Sequence, residues 1–127
     1  MALISCGKSK RAEKSAARDL YTGELFKKIR SLVEKRNQPF HILSALHGLV
    51  PPLAKLEPYE YTLTGKSKSV KREWAAGVAE MFNFYSPREW RIEVFAGRDY
   101  REFLVPMLRD RGFEVEIPHN GRTPTIV

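Results

Sequence analysis

The chain has 127 residues, 43% hydrophobic and 29% charged, which suits one packed domain and argues against wholesale disorder. No apolar run approaches the roughly 18 to 20 residues that span a bilayer, and a single cysteine rules out an internal disulfide or a cysteine-rich metal site. The net charge of +7 favours a polyanionic partner, because Lys and Arg neutralise phosphates by displacing counterions.

The N-terminus, Met1 to Lys8, lacks the basic-then-apolar order of a signal peptide, so the expected address is the cytoplasm. Ala2-Leu3-Ile4-Ser5-Cys6 reads as a buried strand that runs straight into Gly7-Lys8-Ser9-Lys10-Arg11, with Lys14 and Arg18 beyond. Glycine, hydroxyls and lysines at a strand exit suit a phosphate or carboxylate, although a solvated basic turn has the same composition. Cys6 is either an activated thiolate beside lysines or, as its apolar neighbours favour, a small packing residue.

Leu25, Phe26, Ile29, Leu32 and Val33 share one helical face, with Lys27, Lys28, Arg30 and Lys35 opposite. Thr22 is the candidate N-cap of that helix, over about residues 23–36, and Asn37-Gln38-Pro39 ends it. Phe40 to Ser44 is a second apolar strand, and strand, helix and strand at this spacing make a βαβ unit. His41, inside the strand, is read as structural.

From Ser44 the chain changes character. Ala45-Leu46-His47-Gly48-Leu49-Val50-Pro51-Pro52 and then Pro58-Tyr59-Glu60-Tyr61 read as a stiff loop bearing hydroxyl, imidazole, phenol and carboxylate groups. His47 at the strand exit is a candidate site histidine. Glu60 is a candidate general base or cation stabiliser, with a plain surface carboxylate as the competing reading.

Thr64 to Ser69 is basic and flexible in composition, with Lys66 and Lys68 available for phosphates and Lys71 and Arg72 close behind. A second helix over about 67–84 presents Val70, Trp74, Val78, Met81 and Phe82, and Ser86-Pro87 stops it. Arg91 to Ala96 is a third strand leaving through Gly97-Arg98-Asp99-Tyr100. A third helix over about 99–111 turns Tyr100, Phe103, Leu104, Met107 and Leu108 inward, with a kink expected at Pro106. Phe113 to Ile117 is a fourth strand followed by His119, and residues 118–127 form a tail without periodicity.

This alternation predicts a single three-layer α/β/α domain over 1–127, with a four-stranded, mainly parallel sheet in the order 2-1-3-4. Ligands of such sheets sit beyond the carboxyl ends of the strands. Here those ends carry Cys6-Gly7-Lys8, Ser44 to His47, Ala96-Gly97-Arg98 and Pro118-His119. No paired-cysteine site, HExxH, GxSxG or dinucleotide fingerprint occurs, so neither metal nor other cofactor is expected. The oligomeric state stays open.

Leu3 to Lys10, Ala17 to Gly23, Ile42 to Leu49, Pro58-Tyr59-Glu60 and Ala96 to Tyr100 resemble a small domain family of bacteria, archaea and phages with a Leu-Ile-Ser-Cys-Gly-Lys-Ser-Lys first loop. More distantly, Ser5 to Lys10, Ser44 to Pro51 and Leu56-Glu57-Pro58-Tyr59 are similar to loops of the uracil-DNA-glycosylase-like domain of archaeosine synthase. The resemblance implies a uracil-DNA-glycosylase-like fold and a nucleobase pocket using Ser5, Cys6, Lys8, Lys10, Ser44, His47, Tyr59 and Glu60. The first loop carries no carboxylate of the kind uracil-DNA glycosylases use to activate water.

On this resemblance the expected function is cleavage of the N-glycosidic bond of a flipped, modified base in DNA. Tyr21 and Tyr59 would stack on the base, His47 would stabilise it as it leaves, and Glu60 would orient water or offset sugar cation charge. Lys8, Lys10, Arg11, Arg18, Lys66, Lys68 and Arg98 would contact phosphates. Removal of modified bases from phage genomes would be a coherent antiviral role. The alternatives are a catalytically silent nucleotide or DNA sensor, or a hydrolase or transferase acting on free nucleotides.

Overall fold

The structure, a computed structural model, describes residues 1–85 and 91–118. Its centre is β1 (Ala2–Ser5), in which Ala2, Leu3 and Ile4 are all fully buried. β1 lies between β3 (Phe40–Ser44) and β6 (Arg91–Phe95) and is parallel to both. β7 (Glu114–Glu116) adds to β6, again in parallel. The order of these four strands is the one expected.

The sheet itself differs from expectation. Gly48 to Val50, read as loop, forms β4 (Gly48–Val50), which pairs antiparallel with β3, so the sheet has five strands and is mixed. Gly48 has φ +75, a left-handed conformation that brings the chain back after the turn Ala45-Leu46-His47. A separate antiparallel ribbon joins β2 (Ser15–Ala16) to β5 (Lys55–Leu56) and so ties the first loop to the second.

Helices cover both faces, because strand side chains alternate between them. Ala2, Ile4, Phe40, Ile42 and Phe95 pack with α1 (Ala17–Leu20) and α2 (Glu24–Lys35). Leu3, Leu43, Ile92 and Val94 pack with α3 (Lys68–Tyr85) and α5 (Leu104–Asp110), the latter preceded by α4 (Arg98–Arg101). α3 buries Ala75, Val78, Ala79 and Phe82, whereas Val70 and Met81, expected inward, are exposed.

Helix ends follow the local chemistry. Asn37, with φ 53, closes α2: the Asn37 N–H donates to Glu34 O and the Gln38 N–H to Val33 O. Gly112, with φ +91, closes α5 in the same way, through Gly112 N–H to Arg109 O and Phe113 N–H to Leu108 O. The N-cap of α2 is Gly23 and not Thr22, and no side chain caps it. The third helix is divided at Glu102-Phe103 and not at Pro106. Pro106 sits in the first turn of α5, where a missing N–H forfeits no helical hydrogen bond. The expected stop at Ser86-Pro87, His119 and the tail beyond Pro118 lie outside the described residues.

Candidate functional site

β1 delivers Cys6 to the carboxyl edge of the sheet, and Gly7, with φ +73, turns the chain into the lysine loop. The loop is held by a bridge between Lys10 and Tyr21 and by main-chain hydrogen bonds from Thr22 to Ser9 and from Arg11 to Leu20. Lys10 Nζ donates to Lys8 O at 2.9 Å and lies 4.4 Å from the centre of the Tyr59 ring, a cation–π contact.

Tyr59 is the hub. Its hydroxyl lies 2.6 Å from Tyr21 OH, 2.6 Å from Ser44 Oγ and 3.9 Å from Cys6 Sγ. Ser44 Oγ also accepts the His47 N–H at 3.0 Å, and Ser44 O accepts the Trp74 indole N–H at 2.9 Å. Cys6 Sγ is 4.0 Å from Tyr100 OH, and Tyr100 packs edge-on against Trp74. Burial first, and then the neighbouring Cys6, push the Tyr59 phenol far above its ordinary value; Tyr21 and Tyr100 are pushed up the same way, by burial first. At neutral pH these groups are therefore uncharged hydrogen-bonding partners and not bases.

Above this cluster lies a cleft of about 430 Å³ lined by Lys8, Lys10, Tyr59, Glu60, Tyr61, Thr62 and Lys66. A neighbouring hollow, also of about 430 Å³, shares Lys8, Lys10, Tyr59 and Glu60 and extends to Arg11 and Pro58. Among the described residues Glu60 is the one carboxylate lining either. A smaller hollow of about 210 Å³ lies where Ser5 and Gly7 meet the start of α2.

The residues expected at the site therefore divide into groups. Lys8, Lys10, Arg11, Lys66, Tyr59 and Glu60 line the cleft pair. Cys6, Tyr21 and Ser44 are at most 1% exposed and form the buried footing of Tyr59 instead of a wall open to a ligand. Ser5 borders the smaller hollow. His47 is exposed and meets the Tyr59 ring edge-on at 5.2 Å, but it is not among the residues that line the cleft. His41 is half-buried in β3, and burial lowers its imidazole, keeping it neutral.

Among the expected phosphate ligands, Arg18 is engaged by Asp19 at 3.0 Å and Glu34 at 2.6 Å, and Arg98 by Glu102 at 3.5 Å. Lys68 opens α3 and is exposed. Lys71 pairs with Asp99 at 2.7 Å, and Arg72 lies over the Phe103 ring at 4.7 Å. Sequence reasoning missed Thr62 in the cleft, and Trp74 and Tyr100 beneath it. Trp74 and Tyr100 fell on apolar helical faces, where an aromatic signals core, and only their polar atoms reach the site. Among the described residues no group of three or more His, Cys, Asp or Glu side chains could hold a metal ion. No described helix is long and apolar enough to cross a membrane.

Comparison with curated proteins and with solved structures finds no match. One family matches residues 1–124, nearly the whole chain, and it is described as "Family of unknown function (DUF6884)". The α/β domain with its lysine-lined, tyrosine-floored cleft thus belongs to DUF6884.

Proposed function

We propose that the cleft takes a base-bearing nucleotide of DNA and hydrolyses its N-glycosidic bond. The observation that carries the reading is Glu60, a carboxylate set among Lys8, Lys10 and Lys66 beside the Tyr59 and Tyr61 rings. Loss of a base leaves cationic character on the sugar, which a carboxylate offsets, and electron density on the departing base, which ammonium donors stabilise. The electrons of the C1′–N bond leave with the base, a water oxygen bonds to C1′, and the proton shed by that water passes through Glu60 to the base. The products are a free base and an abasic site.

The cleft's place at the carboxyl ends of β1 and β3 suits this chemistry. The order of the parallel strands and the loop resemblances support a uracil-DNA-glycosylase-like fold and, with it, a cytoplasmic address. A modified base is the favoured substrate, and phage DNA is its natural source. Lys8 and Lys10 replace His47 in this reading as stabilisers of the leaving base, because they line the cleft.

A second reading, a sensor that binds a nucleotide without cleaving it, is favoured by the position of His47 beside Tyr59 and outside the cleft. The test is incubation of the purified protein with modified and unmodified DNAs, with released bases read by mass spectrometry. Release of a base, with alkali-labile abasic sites left behind, supports hydrolysis. Tight nucleotide binding without release from any DNA supports the sensor.

A further inference from the structure

We infer that the two hollows are halves of one groove for an unpaired polynucleotide strand, which spans at least two phosphates between Arg11 and Lys66. The inference rests on the nucleotide-binding part of the proposed function and is independent of bond cleavage. The hollows share four wall residues, Lys8, Lys10, Tyr59 and Glu60. Arg11 belongs only to one end and Lys66 only to the other. The shared wall is fixed in place, because Lys10 is held both by Lys8 O and by the Tyr59 ring.

Charge sets the register. Cations stand at both ends, and Glu60, the single carboxylate among the described lining residues, stands beside Lys8 and Lys10 in the shared wall between them. A phosphate beside Glu60 would be repelled, so the phosphates lie toward Arg11 and Lys66 and an uncharged sugar faces Glu60. A strand offers that alternation of phosphate, sugar and phosphate; a mononucleotide carries phosphate on one side of its sugar only. Among the described residues none of Lys8, Lys10, Arg11 or Lys66 is taken up in an ion pair, unlike Arg18 and Lys71.

Aromatic exposure points to an unpaired strand. Tyr61 is 37% exposed, and Lys66 Nζ lies 4.9 Å from its ring centre. An exposed ring beside a cation is a stacking platform for a base, and a paired duplex offers no free base face to it.

The test is fluorescence anisotropy of the full chain with labelled thymidine monophosphate, di-, tri- and hexathymidylate, and a hairpin duplex, each over a salt series. Affinity is expected to rise at least about tenfold from the monophosphate to the trinucleotide and to exceed that for the duplex. The logarithmic salt slope should be at least about −1.4, from two phosphates at roughly 0.7 each. Arg11→Ala and Lys66→Ala should each reduce the slope by about 0.7, and Tyr61→Ala should weaken strand binding on the order of tenfold.

A monophosphate bound as tightly as the trinucleotide overturns the groove, as does a duplex preferred over the strand or an unchanged slope in both cation variants. Base release, read separately, keeps the two proposals apart. Strand binding without release would remove the hydrolase and leave the groove standing. Release from duplex DNA by a protein with no affinity for single strands would do the reverse.

Discussion

The Tyr59 phenol and the Ser44 hydroxyl lie 2.6 Å apart, and this contact fastens the segment bearing Glu60 to the carboxyl end of β3. The same Ser44 receives the His47 N–H on its hydroxyl and the Trp74 indole on its carbonyl. A strand end, a hairpin turn, a helix and the cleft loop thus meet at one fully buried serine. The geometry of the cleft is set from beneath, by buried neutral groups that meet the Tyr59 hydroxyl.

Tyr59→Phe tests that footing. The substitution keeps the ring under Lys10 but deletes the hydroxyl that meets Tyr21, Ser44 and Cys6. Leaving buried hydroxyls short of a partner costs about 1–3 kcal/mol. Urea unfolding should show a loss of that size, with the denaturant slope unchanged. A variant as stable as the parent would mean that the phenol cluster does not secure the loop.

Alkaline pH should expose the same cluster. The phenols of Tyr21, Tyr59 and Tyr100 are raised in the folded protein, chiefly by burial. Above about pH 10 an unfolded tyrosine loses its proton while these keep theirs, so the unfolded state gains. Their contribution is therefore intact below about pH 10 and falls as pH rises further, by up to about 1.4 kcal/mol per pH unit for each phenol. Stability measured by urea unfolding at a series of pH values should decline more steeply in the parent than in Tyr59→Phe. Parallel curves would show that Tyr59 titrates as it does in the unfolded chain.

Period and punctuation in the sequence were enough for the main frame. Short apolar runs marked β1 and β3, and Asn37, which takes a left-handed conformation, marked the end of α2. β4 stayed hidden because three residues, Gly48 to Val50, stopped by two prolines carry no readable alternation. Cys6, Tyr21 and Ser44 were legible as polar residues near a strand exit, but not as a cluster satisfied by its own members. That distinction depends on which way a hydroxyl points, and residue type does not record it. Arg18 illustrates the same limit: its charge was evident, whereas its pairing with Glu34, sixteen residues away, was not.

Gly48→Ala should strain the hairpin. Gly48 has φ +75, and an added Cβ would lie 3.4 Å from Met81 Sδ and 3.6 Å from Val78 Cγ2, ordinary contact distances. The penalty is thus mainly conformational, about 1–2 kcal/mol for a left-handed L-residue. A lower urea midpoint of that size is the expected result. Unchanged stability would argue against the left-handed turn.

Arg18→Ala separates structural from ligand-binding charge. Arg18 is shared between Asp19 and Glu34 in a partly exposed network, so its loss should lower stability by under about 1 kcal/mol. The salt slope of DNA binding should stay at the parental value. A slope reduced as far as in Lys66→Ala would bring Arg18 back among the phosphate ligands.

The sharpest division expected is between Glu60 and His47. Glu60 lines the cleft among lysines; His47 reaches only the edge of the Tyr59 ring, with its main-chain N–H already given to Ser44. Glu60→Gln preserves shape and removes the charge that would meet a cationic sugar and accept a proton from water. A positioned acid–base group contributes about 100-fold to 10,000-fold in rate, so base release by Glu60→Gln should fall at least about 100-fold while strand binding stays at parental strength or tightens. His47→Ala, which trims a ring outside the cleft, should retain base release within about threefold. Both are read from single-turnover release of the base, with anisotropy recording binding in parallel. Release abolished by His47→Ala and kept by Glu60→Gln would move the chemistry to the hairpin side of Tyr59. In that event the lysine-lined cleft would hold the strand, and the bond would break on the other face of the ring.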